Sequence, residues 1–365
     1  MTPRWGHAAA AALTPLVLVV LAHASADVAA RVNGGPHDPP ARLADTGLYA
    51  SEGGRVADGV YPFSPQYSLW TDGAAKRRWV HLPPGTSIDG GNLHEWDFPV
   101  GTRFWKEFSF GGHKVETRFL WKVTESRWLT ASYVWNADGT EATLAPAEGV
   151  AAAADLGNGR QHAIPSRSDC VACHGVARTR PLGFSALQLS DDRDPRAIHG
   201  EPRPDGALAL ERLVAEGLLT LGRPGQPVPR PRIATADPDT RAVLGYLSAN
   251  CGGCHGREGD VPAVTPFLRP ELLLADADAV VRAMGERTTR WQVPGHADGT
   301  RLVDPLAPQA SALLARMKSR RPSSQMPPLG TVVRDDEAVV AVQKWLEGLS
   351  QREVTACLTP CRPVR

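Results

Sequence analysis

The sequence predicts a multidomain protein in which an antiparallel, sandwich-like β domain is followed by two mainly α-helical units. Residues 48–148 alternate apolar and polar side chains with the two-residue period of half-buried strands. From about residue 149 the apolar side chains recur at helical spacing instead. A Cys-x-x-Cys-His motif occurs twice in this second part, which therefore divides into residues 149–232 and 233–352.

Four segments of the β domain carry the strand pattern: RRWVHL, TRFWKEFSF, VETRFLWKV and LTASYVW. The turn-forming sequences PPGT, DGGN, PVGT and NADGT lie between them. Seven of the ten tryptophans fall in this region: Trp70, Trp79, Trp96, Trp105, Trp121, Trp128 and Trp135. The strand period favours core and edge packing for these rings. An exposed aromatic surface that receives a partner or a sugar is the alternative.

Helical periodicity predicts four helices, at ALALERLVAEGLL (207–219), TRAVLGYLSANCGGCH (240–255), ASALLARMKSR (310–320) and DDEAVVAVQKWLEGLSQR (335–352). Asp335 and Asp336 stand where the last of these helices begins. Acidic residues there cap free N–H groups and suit the helix dipole. The Pro-rich stretch PGQPVPRPR, 224–232, is an extended connector between the two units.

Residues 1–26 have the pattern of a secretory signal, with Arg4, an apolar run from Ala8 to Leu21, and small residues at Ala24 and Ala26. The sequence therefore predicts a periplasmic or otherwise exported protein without a membrane span after signal cleavage. An uncleaved membrane anchor is the alternative. Residues 27–47 are expected to be a flexible leader. The formal net charge of +1 gives no indication of nucleic-acid binding.

Two cysteines lie in the C-terminal tail, residues 353–365. Because spare thiols in an oxidising compartment usually pair, we expect a disulfide between Cys357 and Cys361, across the turn at Thr359-Pro360. Two unpaired thiols are the alternative.

The two Cys-x-x-Cys-His motifs carry the chemistry. On a helix, residues i, i+3 and i+4 share a face. Two thiols can then add to the vinyl groups of one porphyrin while the histidine presents a nitrogen to its iron. The spacing therefore predicts two covalently bound haem c groups. The residues concerned are Cys170, Cys173 and His174 in the first motif, and Cys251, Cys254 and His255 in the second.

Two other chemistries use paired cysteines. Two C-x-x-C pairs can supply the four ligands of a zinc site, but this leaves the histidine that follows each pair unexplained. A redox dithiol of the thioredoxin type is expected within a βαβ pattern, which the sequence lacks.

The two motifs differ in their candidates for a sixth iron ligand. Met326, in SSQMPPLG, lies 71 residues after His255 in a Pro-stiffened loop and suits the second haem, with ordinary packing as the alternative. No methionine occurs between His174 and Cys251. The first iron therefore takes a histidine, another group, water or nothing. The candidate histidines are His199 in the RAIHGEP loop, His162 just before the first motif, and His81, His94 and His113 in the β region.

The segments CGGCHG, MPPLG and VVAVQKWLEGL resemble class I cytochrome c units. The resemblance implies that Trp345, on the last helix, packs near Tyr246 and Leu247. Residues 48–349 also resemble a family of exported dihaem c-type cytochromes with an N-terminal β region. YPFSPQYSLWTDGAAKRRWVHLPPGT, WDFPVGTRFWKEFSF, VETRFLWK, YVWNADGTEA, IPSRSDCVACH and LGFSALQLS carry this similarity. It implies the architecture and electron-transfer chemistry, without a substrate.

We therefore expect a protein that relays single electrons between redox partner proteins. Arg316, Lys318, Arg320 and Arg321 offer a positive rim for an acidic partner, or simply a solvated helix face. An alternative is a peroxidase- or oxidase-like enzyme with an open coordination site at the first haem, although no catalytic residue can be assigned. In a third interpretation, the β domain binds a ligand or carbohydrate and the haems serve as a redox output.

Overall fold

A computed structural model describes residues 38–50, 54–175, 180–222, 225–256, 268–296 and 300–358, the last seven as backbone only. The predicted signal and the predicted Cys357–Cys361 disulfide lie outside the residues whose side chains are described. Residues 38–47, the end of the predicted leader, include a short 3-10 helix, Leu43–Thr46, whose Leu43 is buried.

The N-terminal part of the chain is an antiparallel β region. Its strands are β1 (Val60–Pro62), β2 (Ala75–His81), β3 (Ile88–Asn92), β4 (Glu95–Asp97), β5 (Arg103–Phe110), β6 (His113–Lys122), β7 (Trp128–Trp135), β8 (Ala142–Leu144), β9 (Val150–Asp155) and β10 (Gln161–Ile164). Six of them form one sheet in the order β1-β2-β5-β6-β7-β8, with antiparallel neighbours. The four strand segments predicted from the sequence are confirmed as β2, β5, β6 and β7.

The central sheet is apolar on both faces, as a layered structure requires. On one face Trp79 is paired with Trp105 and Trp105 with Phe119, and these rings pack with Leu43. On the other face Phe104 packs against residues from further along the chain. The interpretation of the tryptophans as packing residues is confirmed. Trp79, Trp96, Trp105 and Trp135 are buried, and Trp70, Trp121 and Trp128 are partly buried.

The β region extends beyond residue 148, where the sequence predicted that it would end. Strands β9 and β10 pair as an antiparallel hairpin around Gly157, Asn158 and Gly159, all of which have positive φ. The alanines of VAAAAD give almost no alternation of polarity, so the sequence carries little strand signal there.

The chain after the β region is mainly helical. The helices are α1 (Arg167–His174), α2 (Leu210–Ala215), α3 (Pro238–Asn250), α4 (Gly252–His255), α5 (Pro270–Ala275), α6 (Ala277–Glu286), α7 (Ala312–Lys318) and α8 (Asp336–Leu358). The four predicted helical segments correspond to α2, α3 with α4, α7, and α8. Asp335 caps α8, since its Oδ1 accepts the N–H of Ala338 at 3.0 Å.

The segment 149–232 is less helical than the sequence predicted. Among its described residues only α1 and α2 are helical, and α2 is six residues long. Leu208 is extended because its N–H donates to Pro62 O at 2.8 Å, so the helix starts later than its apolar pattern does. A further strand, β11 (Leu219–Thr220), pairs with β3 in parallel. Leu210 and Leu213 also share a hydrophobic cluster with Phe104 of the central sheet, so this segment packs on that sheet.

The helices after residue 233 surround a separate core. Helix α8 packs against α3, and the indole N–H of Trp345 donates to Thr240 Oγ1 at 3.0 Å. Trp345 shares its hydrophobic cluster with Tyr246 and Leu247, in agreement with the resemblance. No helix in the described part of the chain is long and apolar enough to cross a membrane.

Helix α3 is held against the β region immediately before the second motif. Asn250 Oδ1 accepts the N–H of Trp70 at 2.7 Å, and its Nδ2 donates to Ser68 O at 3.2 Å. Gly245 lies under the ring of Tyr67, and a Cβ atom built there would lie 2.1 Å from Tyr67 Cε1. These contacts fix where α3 ends and the second motif begins.

Candidate functional site

Helix α1 presents the first motif. A capping box starts the helix: Ser166 Oγ accepts the N–H of Asp169 at 3.1 Å, and Asp169 Oδ2 accepts the N–H of Ser166 at 3.0 Å. With the helix fixed at this position, Cys170, Cys173 and His174 follow at i, i+3 and i+4 and share one face.

The imidazole of His174 is oriented by a backbone carbonyl. Its Nδ1 lies 2.6 Å from Arg180 O, and a carbonyl can only accept, so Nδ1 carries the hydrogen. Burial lowers the pKa of His174 to about 4, which keeps the ring neutral at pH 7. Nε2 therefore has a free lone pair. A histidine held through Nδ1 by a carbonyl is the usual arrangement of a metal-ligating imidazole.

The second motif directly follows α3. The N–H of Cys251 donates to Leu247 O at 2.8 Å, and the N–H of His255 donates to Cys251 O at 2.9 Å. Helix α4 therefore follows α3 directly, with Cys251 between the two helices. Burial raises the pKa of the Cys251 thiol to about 12. It also raises the pKa values of Cys170 and Cys173. Reactive dithiols have lowered thiol pKa values, so these cysteines do not fit that class.

Both motifs open into the same cavity. Its volume is about 1280 Å³, larger than the roughly 300–1,000 Å³ of ordinary ligand pockets. The predicted site residues that line it are Cys170, Cys173, His174, Cys251, Cys254, His255 and Met326. Helices α1 and α4 contact each other, and the Cys254 thiol contributes to the raised pKa of Cys173. The structure thus brings together residues that are 81 positions apart in the chain.

Met326 is held at the cavity wall by two arginines. Its N–H donates to Arg316 O at 3.1 Å, and Arg320 Nη2 donates to Met326 O at 3.3 Å. Arg320 Nη1 also donates to Thr331 Oγ1 at 3.1 Å, beyond the Met-Pro-Pro segment. Arg316 and Arg320 are partly buried and contact this loop, whereas Arg321 is exposed.

The sheet forms the opposite wall of the cavity with three basic side chains. Arg78 on β2, Lys106 on β5 and Arg118 on β6 are direct cross-strand neighbours, and all three line the cavity. Arg78 pairs with Glu201 at 2.6 Å, and Arg118 pairs with Glu116 at 2.6 Å. This row was not predicted from the sequence. The sequence signal for it was a basic residue in each of three predicted strands. Each lies on the strand face that carries apolar side chains such as Phe104 and Leu120.

The histidines considered as sixth ligands lie elsewhere. His199 Nε2 is 2.9 Å from both oxygens of Asp335, and its ring stacks on Trp70. His162 is buried with both ring nitrogens hydrogen-bonded. The described lining of the cavity includes neither of these two residues, nor His81, His94 or His113.

The zinc alternative would use the cysteines of both motifs. Among the residues that the structure describes, no three His, Cys, Asp or Glu side chains come together in a group that could hold a metal ion. A tetrahedral zinc site would need four such ligands in contact with one ion.

No family model matches this chain, and neither a curated protein nor a solved structure matches it. The assignment of the site therefore depends on the residues and their geometry.

Proposed function

We propose that this protein is an exported dihaem c-type cytochrome that relays single electrons between redox partner proteins. The observation that carries the proposal is the single cavity shared by both Cys-x-x-Cys-His motifs. Cys170 and Cys173 would hold the first haem and Cys251 and Cys254 the second. His174 and His255 would be the proximal ligands of the two irons, and Met326 would be the distal ligand of the second.

The residues present fit two haem groups. The cavity exceeds a pocket for one small ligand, and its walls include apolar side chains such as Leu182, Leu247 and Leu268. His174 is neutral, and its Nε2 is available. When bound, each haem supplies an iron that accepts and releases one electron.

The protein side chains set the conditions for that electron transfer. His174 is kept in one tautomer by the Arg180 carbonyl. The lining includes apolar side chains, and the apolar surroundings of a metal centre help to set its reduction potential. A thioether ligand from Met326 would raise the potential of the second centre relative to ligation by two histidines. Since α1 contacts α4, two groups attached to these helices would be neighbours, as a relay requires.

In this proposal the chain belongs to the exported dihaem cytochromes that its sequence resembles, with the segment after residue 233 as a cytochrome c-like unit. The first haem unit is instead a composite, in which α1 supplies the attachment residues and the sheet supplies the facing wall. Attachment of haem c outside the cytoplasm agrees with the predicted signal in residues 1–26 and with a periplasmic location.

Haem stoichiometry tests the proposal directly. The full-length precursor is expressed with a haem c maturation system, and the exported protein is examined by intact mass and by the pyridine haemochrome assay. We expect two haems per chain. The variants Cys170→Ser/Cys173→Ser and Cys251→Ser/Cys254→Ser should each retain one haem, whereas the control Cys357→Ser/Cys361→Ser should retain two. Protein without covalent haem, or with bound zinc in its place, would contradict the proposal.

A separate measurement distinguishes a relay from an enzyme. Electron paramagnetic resonance of the oxidised protein, with and without cyanide, reports the spin state and accessibility of each iron. Two low-spin irons that do not bind cyanide support the relay. A high-spin iron that binds cyanide readily would favour the peroxidase- or oxidase-like alternative and would make turnover assays with peroxide the next step.

A further inference from the structure

We infer that Lys106 is the sixth ligand of the haem iron at the first motif. This inference rests on the proposed function, because it requires a haem attached to Cys170 and Cys173. It concerns the sixth coordination position of the first iron, for which no methionine occurs between His174 and Cys251.

The position of Lys106 is the first argument. Lys106 lies in the middle of β5 with its side chain on the sheet face that carries Phe104 and Phe108. That face forms the cavity wall, and Lys106 lines the same cavity as His174. The two side chains are near enough to interact electrostatically.

Lys106 lies between two arginines and, among the described residues, has no charge partner. Like charges directly opposite each other on neighbouring strands destabilise a sheet, and Lys106 has an arginine on each side. Arg78 and Arg118 each have a carboxylate partner. Within the described part of the chain, Lys106 has neither a hydrogen bond nor an ion pair. Its Nζ lies 5.0 Å from the centroid of the Phe108 ring.

The electrostatic surroundings favour an uncharged amine. Burial, followed by the charges of Arg78, Lys76 and Arg118, moves the pKa of Lys106 well below its ordinary value. A neutral amine has a lone pair that it can donate to iron, whereas a guanidinium stays protonated and cannot coordinate. Lys106 is therefore the member of the basic row whose chemistry suits a ligand.

The other donors near the cavity are already engaged. His162 and His199 are hydrogen-bonded to carboxylates and do not line it. The hydroxyl of Tyr246 donates to Asp335 Oδ2 at 2.9 Å. Met317 belongs to the core of the helical region. Met326 is attached through its backbone to α7, on the side of the second motif.

Lysine ligation would also give the relay a direction. An amine nitrogen is a harder donor than a thioether, so it stabilises ferric iron more strongly. The haem at the first motif would then have a lower potential than the His/Met-ligated haem at the second. Electrons would pass from the first centre to the second.

Near-infrared magnetic circular dichroism of the oxidised, haem-loaded protein tests the inference, because its charge-transfer bands distinguish amine, thioether and imidazole ligands. For the wild type we expect one His/amine and one His/thioether signature, with no high-spin iron. The variant Lys106→Ala should keep two haems per chain, but one iron should become high-spin and bind cyanide. Lys106→Arg should behave like Lys106→Ala, because a guanidinium stays protonated and cannot coordinate.

Two further variants complete the design. Lys106→Met replaces the lysine with another long, unbranched side chain. It therefore provides a folded protein for the measurement if Lys106→Ala does not accumulate. Its amine band should be replaced by a second thioether band. Lys344→Ala removes an exposed lysine of α8 that is not part of the described cavity lining, and it should leave both signatures unchanged.

Several outcomes would overturn the inference: a wild-type protein without an amine signature, an unchanged spectrum in Lys106→Met, or a low-spin first haem in Lys106→Arg. The last result would mean that a group other than Lys106 ligates the iron. A wild-type protein without two covalent haems would instead show that the proposed function itself is wrong, so the two failures are distinguishable.

Discussion

His162 Nε2 lies 3.1 Å from Glu116 Oε1, and this contact is the centre of a buried charge network. On the other side, His162 Nδ1 lies 3.1 Å from Asp72 Oδ2, and all three side chains are at most 2% exposed. Glu116 also pairs with Arg118 at the cavity wall. Asp72 Oδ1 accepts the N–H groups of Val332 and Val333 at 2.8 and 2.9 Å. The network therefore connects the sheet wall of the cavity to the chain after Met326.

Replacing His162 should destabilise the protein strongly. In His162→Ala the carboxylates of Asp72 and Glu116 lose their shared partner in a buried site. Loss of one partner of a buried ion pair typically costs about 3–5 kcal/mol. Urea denaturation of the haem-loaded protein measures this loss. His113→Ala, at an exposed strand end, is the control and should change stability by less than about 0.5 kcal/mol. Equal midpoints for the two variants would contradict the role of the network.

The same network predicts a pH dependence of stability. Burial alone would lower the pKa of His162, but hydrogen bonds to Asp72 and Glu116 raise it above its ordinary value. The stabilisation from His162 is therefore complete below its unfolded pKa of about 6.5 and is lost as pH rises through the folded pKa. Burial alone would raise the pKa of Glu116, but pairing with Arg118 and His162 lowers it below its ordinary value. Its contribution is present above its unfolded pKa of about 4.3 and is lost as pH falls through the folded pKa.

Urea midpoints measured from pH 4 to 9 test these signs. The wild type should lose stability on the alkaline side of the His162 transition, and His162→Gln should lack that part of the decrease because glutamine does not titrate. A parallel decrease in both proteins would assign the alkaline loss to other groups.

Gly245 should not tolerate a side chain. Replacing a helical glycine with alanine usually stabilises a helix by about 0.5–1 kcal/mol. At Gly245 the new Cβ would overlap the Tyr67 ring, so we expect Gly245→Ala to destabilise the protein by about 1–3 kcal/mol. Gly348, in α8, has no heavy atom within 4 Å of a built Cβ and is the matched control. Opposite signs for the two variants in thermal unfolding are the expected result. A stabilising Gly245→Ala would mean that α3 does not pack on Tyr67 as described.

The parts of the fold that local patterns determine could be predicted from the sequence. Alternation identified β2, β5, β6 and β7, and helical spacing identified α3, α7 and α8. The network around His162 could not be predicted, because Asp72 and His162 are 90 residues apart and meet only through sheet packing.

At the candidate site, too, contacts between residues distant in the chain could not be predicted. The motif spacing predicted which cysteines and histidines share a helix face, since i, i+3 and i+4 relations are local. That both motifs share one cavity, and that Lys106 lies on its wall, depends on how α1, α4 and the sheet pack together. The sequence does show that Lys106 shares a strand face with Phe104 and Phe108, which indicates that a lysine is buried there. It does not indicate which residues face that lysine across the cavity.

The final prediction concerns Met326 as a ligand rather than a packing residue. Met326→Leu conserves apolar volume but removes the thioether, so the second haem should lose its His/Met spectrum and bind cyanide, and its reduction potential should fall. Potentiometric titration followed by absorbance measures the change. Met317→Leu is the matched control, because Met317 also lines the cavity but is packed in the core of the helical region. A changed spectrum in Met317→Leu with a normal one in Met326→Leu would transfer the ligand role to Met317. If neither variant changes the spectrum, the distal ligand is not a methionine of this cavity, and the potential difference between the two haems must have another origin.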